Sequence, residues 1–314
     1  MYLMTPNEIA VTQHFPIAWH ESYTQPLPPG HRFPMEKYDL IPGQLLHEGT
    51  ITAQDIFAPE ECPDEIVHLT HAKEYVAALH NLKLTAREQR VIGFPQDIAL
   101  MQREFRIAQG TIDCMLKAEH AGIAMNIAGG THHAFAGHGE GFCMLNDQAI
   151  AANYLLSEKK STQILIIDLD VHQGNGTAKI FENNKAVYTF SMHGAGNYPF
   201  RKETSDRDVG LTIGITDDDY NEILERNLTE IFAMMEPSHC FYLAGVDVLG
   251  TDKFGKLGLT LAGCRQRDRI VLESLKARNI PCAVSMGGGY SPDVRTIVEA
   301  HCNTFRVAKD IYGL

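Results

Sequence analysis

Residues 163–176 read Gln163-Ile164-Leu165-Ile166-Ile167-Asp168-Leu169-Asp170-Val171-His172-Gln173-Gly174-Asn175-Gly176, and this stretch decides how the chain is understood. Its first half is a short run of aliphatic and β-branched residues with no polar alternation, the pattern of a strand buried on both faces. The run switches abruptly to Asp168, Asp170 and His172, spaced by two. Side chains two apart on extended backbone point the same way, so three metal-type groups project from one side at the strand's C-terminal end. In open α/β sheets ligands bind beyond that end. Gly174 and Gly176 then let the backbone turn sharply away. The two aspartates alone could cap the following turn, but His172 has no such structural reason to be there.

Outward from this strand, sheet and helix signals alternate. Strand-like runs fall at 121–127, 186–192, 211–215, 240–246 and 282–286, and residues 7–12 could form a first strand. Helical apolar spacing falls at 35–47, 65–80, 98–120, 147–158, 261–278 and 293–311. Another helix runs to Met235, with Thr216 or Asp217 as its cap. Pro26, Pro28, Pro29 and Gly30 make 20–34 a loop, 81–97 reads as a surface connection, and 193–210 as a long loop. The alternation predicts an α/β fold with a mostly parallel central sheet flanked by helices on both faces. With no repeat, low-complexity tract or linker, 1–314 is expected to be a single domain.

Composition narrows the function. Lys plus Arg number 27 against 39 for Asp plus Glu, a formal charge of −12. That balance argues against binding nucleic acid or an anionic membrane through bulk charge, and it is compatible with a cationic substrate. The seven cysteines are scattered, without a CxxC pair, so neither a disulfide framework nor a cysteine zinc site is expected. The start, MYLMTPNEIA, lacks a basic region followed by an apolar one, and no apolar run approaches the ~20 residues of a membrane helix. A cytoplasmic protein is expected.

Several predicted strands end in polar clusters. Gly129-Gly130-Thr131-His132-His133 follows the strand near 127, Asp170 and His172 the central one, and Ser191 and His193 the strand near 190. Asp247 and Asp252 follow the strand near 245, and Gly287-Gly288-Gly289-Tyr290 the strand near 285. A parallel sheet brings these ends to one edge, so the clusters should converge. Asp170, His172 and Asp252 offer two carboxylates and an imidazole, and three protein ligands with an open position describe a catalytic zinc or similar divalent site. Such a metal lowers the pKa of bound water to ~7 and polarises a carbonyl. A nearby histidine could take the water's proton and return it to a leaving amine. The Tyr290 hydroxyl could donate to a developing oxyanion. Taken singly, each residue has a plainer reading: Asp252 as a turn residue, the glycine triplet as an anion nest, Tyr290 as a core tyrosine.

These residues resemble the zinc-dependent histone deacetylases and their acetylpolyamine- and acetoin-utilisation relatives, which share the arginase/deacetylase α/β fold. The likeness runs from His31-Arg32-Phe33-Pro34-Met35 to about residue 305. It is carried by 71–76, 129–134, 141–147, 168–176, 245–252 and 287–290. Gln173-Gly174-Asn175-Gly176 and the short segment from His193 to Tyr198 look most like class IV deacetylases. The resemblance implies zinc (ferrous iron is also compatible) on Asp170, His172 and Asp252, with His132, His133 and Tyr290 catalytic and His133 the general base and acid. It implies a structural potassium ion on Asp168, Ser191 and backbone carbonyls of Asp170, His172 and Met192. Asp168 and Asn175 would stand behind the two histidines, and Gly141, Phe142 and Tyr198 would line a tunnel for an acyl-lysine-like chain.

Two departures qualify it. Asn175 stands where many relatives carry Asp, so His133 should ionise less readily. The region 84–96 offers no Asp to grip a substrate backbone. The expected substrate is therefore an acylated lysine in a protein or peptide, or a small acylated amine such as an acetylpolyamine. A non-catalytic acyl-lysine binder is disfavoured by the complete residue set. A two-metal ureohydrolase is disfavoured because Asp247 is the only spare acid in its motif.

Overall fold

The computed structural model describes residues 14–314; the strand expected at 7–12 lies outside them. Eight strands, β1 (Ile17–Ala18), β2 (Ile56–Phe57), β3 (Ile123–Asn126), β4 (Ile164–Asp168), β5 (Val187–Gly194), β6 (Arg207–Leu211), β7 (His239–Leu243) and β8 (Cys282–Ser285), form one sheet in the order β2-β1-β3-β8-β7-β4-β5-β6. Every adjacent pair is parallel. All residues of β3, β4, β7 and β8 are buried, which is why their sequences carry no polar alternation. Helices Ile98–Ala121 and Asp147–Ser157 pack together as one layer, while Lys37–His47, Val294–Tyr312, Leu261–Lys276 and Asp217–Met234 pack in series as another.

The strand order gathers the polar clusters. Strands β3, β8, β7, β4 and β5 are consecutive in the sheet, so the segments after them share one edge although they span residues 129 to 290. Side-chain caps start the returning helices. The side chains of Asp97, Asn146, Thr216, Thr260 and Asp293 accept from Leu100, Ala149, Asp219, Gly263 and Arg295 backbone N–H groups.

Three expectations shift. The helical run at 65–80 is two helices, Asp64–Val67 and Lys73–His80, parted at buried His71, whose Nε2 accepts from Asn146 N at 3.0 Å. The surface connection at 81–97 contains a helix, Ala86–Ile92, opened by a reciprocal Thr85–Glu88 capping box. The strand expected at 211–215 lies earlier, at Arg207–Leu211. It is the sheet edge, and its alternating exposure suits charged residues that read as loop.

Candidate active site

The turn after β4 is tied to its neighbours by its own carboxylates. Asp168 Oδ2 accepts from His132 Nδ1 at 2.7 Å and Asp168 Oδ1 from Asp170 N at 3.2 Å. Asp170 Oδ1 accepts from His172 N at 2.9 Å, while its Oδ2 accepts from Gly288 N at 2.8 Å. Asp247 Oδ1 accepts from Val171 N at 2.9 Å. The loops after β3, β4, β7 and β8 are thus joined through buried aspartates. Gly288 is obligatory here: a Cβ would collide with the Asp247 and Asp170 carboxylates.

The closest group of metal-type donors among the described residues is Asp170, His172 and Asp247, all buried. His172 Nδ1 lies 3.0 Å from Asp170 Oδ1 and 3.2 Å from Asp247 Oδ2, and Asp247 Oδ2 accepts no well-formed hydrogen bond. Burial and the neighbouring Asp170 charge push Asp247 up to about 7. Burial would lower His172, but the hydrogen bond to Asp170 and the nearby Asp247 carboxylate outweigh it and raise it to about 10. Carboxylates crowded around an imidazole, one with an unused buried oxygen, suit a divalent cation. Asp252, expected as the third ligand, is not in this trio. Its Oδ1 accepts from Phe254 N and Gly255 N, both at 2.8 Å, and its Oδ2 from Tyr290 N at 2.6 Å. Burial raises it against those three donors, and its charge is felt at Asp247.

The paired histidines are adjacent in space, with ring centroids 4.1 Å apart, but differ in what stands behind them. For His132, burial opposes ionisation, yet the Asp168 and Asp170 carboxylates win and raise its pKa. For His133, burial holds the pKa well below the ordinary value, and His132 and His172 push the same way. His133 Nδ1 lies 2.7 Å from Asn175 Oδ1, and Asn175 Nδ2 lies 3.3 Å from Glu140 Oε2. Glu140 is held low, first by its hydrogen bond to His138, and so is an acceptor only. Its carboxylate orients the Asn175 amide, whose oxygen then accepts a hydrogen bond from His133 Nδ1–H. That tautomer leaves Nε2 of His133 as a free acceptor.

The cavity beside these groups holds about 40 Å³ and is lined by His132, His133, Asp170, His172, Gly288 and Tyr290 among others. Burial, with Asp247 and Asp170 nearby, raises Tyr290 well above 10, so its hydroxyl stays a donor. A larger cavity of about 370 Å³ shares His133, Gly141, Phe142, His172 and Tyr290 with it and reaches the surface past Tyr198. The Phe142 and Tyr290 centroids lie 5.9 Å apart and those of His133 and Tyr198 4.9 Å. Gly141 and Phe142 have φ of +50° and +66°, and Phe142 N donates to Ile92 O at 2.6 Å. The predicted tunnel residues therefore meet at one passage.

Asp168 and Ser191 are register partners on β4 and β5, next to buried Met192, and Ser191 Oγ lies 2.9 Å from His193 Nδ1. Three residues escaped sequence reasoning. Asp247 read as a spare acid, and Glu140 was given no role. Lys37 sits fully buried inside a helix, bonded to Gly287 O at 3.0 Å. Desolvation lowers it to about 8, against Asp247 and Asp170. Only Glu140 carried a signal, its place just before the tunnel residues Gly141 and Phe142.

The profile of the histone deacetylase domain matches residues 31–305. An uncharacterized protein of Picosynechococcus sp. is 43% identical over 300 residues, covering 95% of this chain and 99% of the relative. Histone deacetylase 2 of Arabidopsis thaliana is 29% identical, covering 83% and 70%. Human histone deacetylase 1 is 28% identical, covering 89% of this chain and 60% of its own length. Among solved structures, a histone deacetylase homolog from Aquifex aeolicus superposes with a TM-score of 0.81 at 21% identity, covering 96% of this chain and 84% of the other. A homolog complexed with SAHA gives 0.79 at 21% identity, covering 96% and 88%.

Proposed function

This chain belongs to the histone deacetylase family and is a hydrolase of amide bonds, and from that premise we propose that it removes an acyl group from the side-chain amine of lysine in proteins or peptides. The main support is convergence: His132, His133, Asp170, His172 and Tyr290 line one small cavity at the foot of an aromatic-walled tunnel. The tunnel's aromatic walls suit an extended aliphatic amine carrying the acyl group at its tip. We read 1–314 as one catalytic domain of class IV type, working in the cytoplasm, where seven unpaired, buried cysteines are at home. No described helix is long and apolar enough to cross a membrane.

Asp170 and His172 would hold a zinc ion with a carboxylate of the 247–252 loop as third donor. The family likeness favours Asp252, and the donor distances favour Asp247. Mixed N/O ligation also accommodates ferrous iron. Bound there, the metal would acidify a water molecule and polarise the acyl carbonyl. The remaining chemistry belongs to the chain. Neutral His133 takes a proton at Nε2 and delivers it to the leaving lysine amine. Tyr290 donates its hydroxyl proton to the oxygen on which negative charge grows. His132, tied to Asp168, holds positive charge beside them. A structural potassium ion on Asp168, Ser191 and nearby carbonyls would stiffen the turn after β4. Hydrolysis of a small acylated amine is the competing reading, because any acyl group on an extended amine fits the same passage.

Protein of measured metal content, given acetyl-lysine peptide, long-chain acyl-lysine peptide and N-acetylspermidine, tests the proposal. Peptide cleavage is expected; intact substrates throughout would end it. Asp252→Asn and Asp247→Asn, each assayed for bound metal per chain, decide the third ligand.

A further inference from the structure

Four cationic side chains surround the outer end of the 370 Å³ cavity: Arg32, Arg90, Lys253 and Lys256. No carboxylate lines it, although the chain carries 39 acidic residues against 27 basic ones. All four are exposed, and none forms an ion pair within the described residues. They come from three separate segments: the loop at 32, the helix Ala86–Ile92, and the turn after Asp252. Arg32 is steadied over the Phe254 ring, its Cζ 5.3 Å from the centroid. Beside them stands Phe200, 91% exposed, an apolar ledge at the mouth. The 84–96 region, which has no Asp, contributes Arg90 to this rim.

We propose that this rim selects acyl-lysines embedded in acidic polypeptide sequence and turns away lysine- and arginine-rich tails and acylpolyamines. The inference rests on the cavity being the acyl-amide tunnel. When an acyl-lysine side chain fills the tunnel, its flanking residues lie across the mouth, within reach of the four cations. Carboxylates there meet unpaired positive charge, whereas ammonium or guanidinium groups meet like charge. An acylpolyamine keeps a cationic amine just outside the tunnel, in the same repulsive field. The net charge of the whole chain, compatible with a cationic substrate, is therefore reversed where substrate enters. Electrostatic complementarity of this kind acts on encounter and retention, so the preference should sit in KM and weaken with salt.

The test uses three acetyl-lysine peptides of equal length that differ only in flanking residues (Glu, Ser or Lys), with N-acetylspermidine as a fourth substrate. Turnover and peptide binding by fluorescence anisotropy are both measured. At about 50 mM salt the Glu peptide should exceed the Lys peptide in kcat/KM by roughly tenfold or more, several partly screened pairs acting together. Most of that ratio should vanish near ~500 mM salt. The double variant Arg90→Glu with Lys253→Glu should invert the order of the Glu and Lys peptides. Equal cleavage of all peptides, or a preference for the Lys peptide or acetylspermidine, overturns the rim's role and leaves the deacylase reading standing. Preferential binding of the Glu peptide without cleavage of any substrate does the opposite.

Discussion

His132 and His133 are neighbours in the chain, share a cavity and are both buried, yet the chain treats them oppositely. Behind His132 stands a carboxylate, Asp168, at 2.7 Å; behind His133, at the same distance, stands the neutral amide of Asn175. The first environment overcomes desolvation and raises the pKa; in the second, desolvation and the charges of His132 and His172 outweigh the Asn175 hydrogen bond and lower it. The charge behind an imidazole, more than its burial, decides which of two equally buried histidines carries a proton. In the proposed mechanism one residue is then a fixed positive group and the other a neutral base, and neither role is encoded in the His-His dipeptide.

The largest expected effect breaks the comparison by deletion. His133→Ala should lower kcat roughly a thousandfold, the scale of a lost acid–base group. His132→Ala, which removes a charge but no proton carrier, should cost about ten- to a hundredfold. Bound metal per chain, measured alongside, separates lost chemistry from lost metal. Equal losses in the two variants would mean that the division of labour is wrong.

A smaller effect should follow from making the two environments alike. Asn175→Asp places a carboxylate behind His133 and favours its charged form. A base works only when neutral, so activity is present above its pKa and lost as pH falls through it. Raising that pKa moves the acidic limb of the kcat profile upward, and turnover near neutral pH should fall severalfold while the alkaline side is spared. An unmoved limb would assign the base elsewhere.

How much of this was open to reading depended on what each residue's neighbours in sequence could reveal. β4 and β7 were legible because a strand covered on both faces must be apolar throughout. β1 and β2, two residues each, are too short for any periodicity; β1 is held by pairing with β3, and β2 pairs only with β1. β6 was misplaced because an edge strand tolerates Arg207, Asp208 and Gly210. The helix Ala86–Ile92 was announced by Thr85 and Glu88, a capping box hidden among other charges. At the site, Asp170 and His172 declared themselves by spacing. Asp247 did not, because one aspartate in a turn has many uses and only tertiary contact shows its unused oxygen. Lys37 left no trace, since a lysine in a helix reads as surface whichever way it points.

Glu140 gives the subtlest test of the contrast between the histidines, because it acts on His133 at one remove. Its carboxylate accepts from Asn175 Nδ2 at 3.3 Å and from the Tyr198 hydroxyl at 2.7 Å, so it links the tunnel wall to the amide behind the base. A carboxylate can only accept, and this fixes which end of the Asn175 amide faces His133. Glu140→Gln keeps the shape but can present an NH₂ instead, allowing the Asn175 amide to rotate and offer a donor to His133 Nδ1. The opposite tautomer then gains ground, with Nε2 protonated and unable to accept. A loss of a few fold in kcat is expected, since an exchanged hydrogen bond at this distance carries only about 1 kcal/mol. KM should move little, and the double variant Glu140→Gln with Asn175→Asp should show no further loss, because an aspartate has no amide to orient. Fully additive losses would mean that Glu140 acts through Tyr198 and the tunnel wall, not through the tautomer of the base.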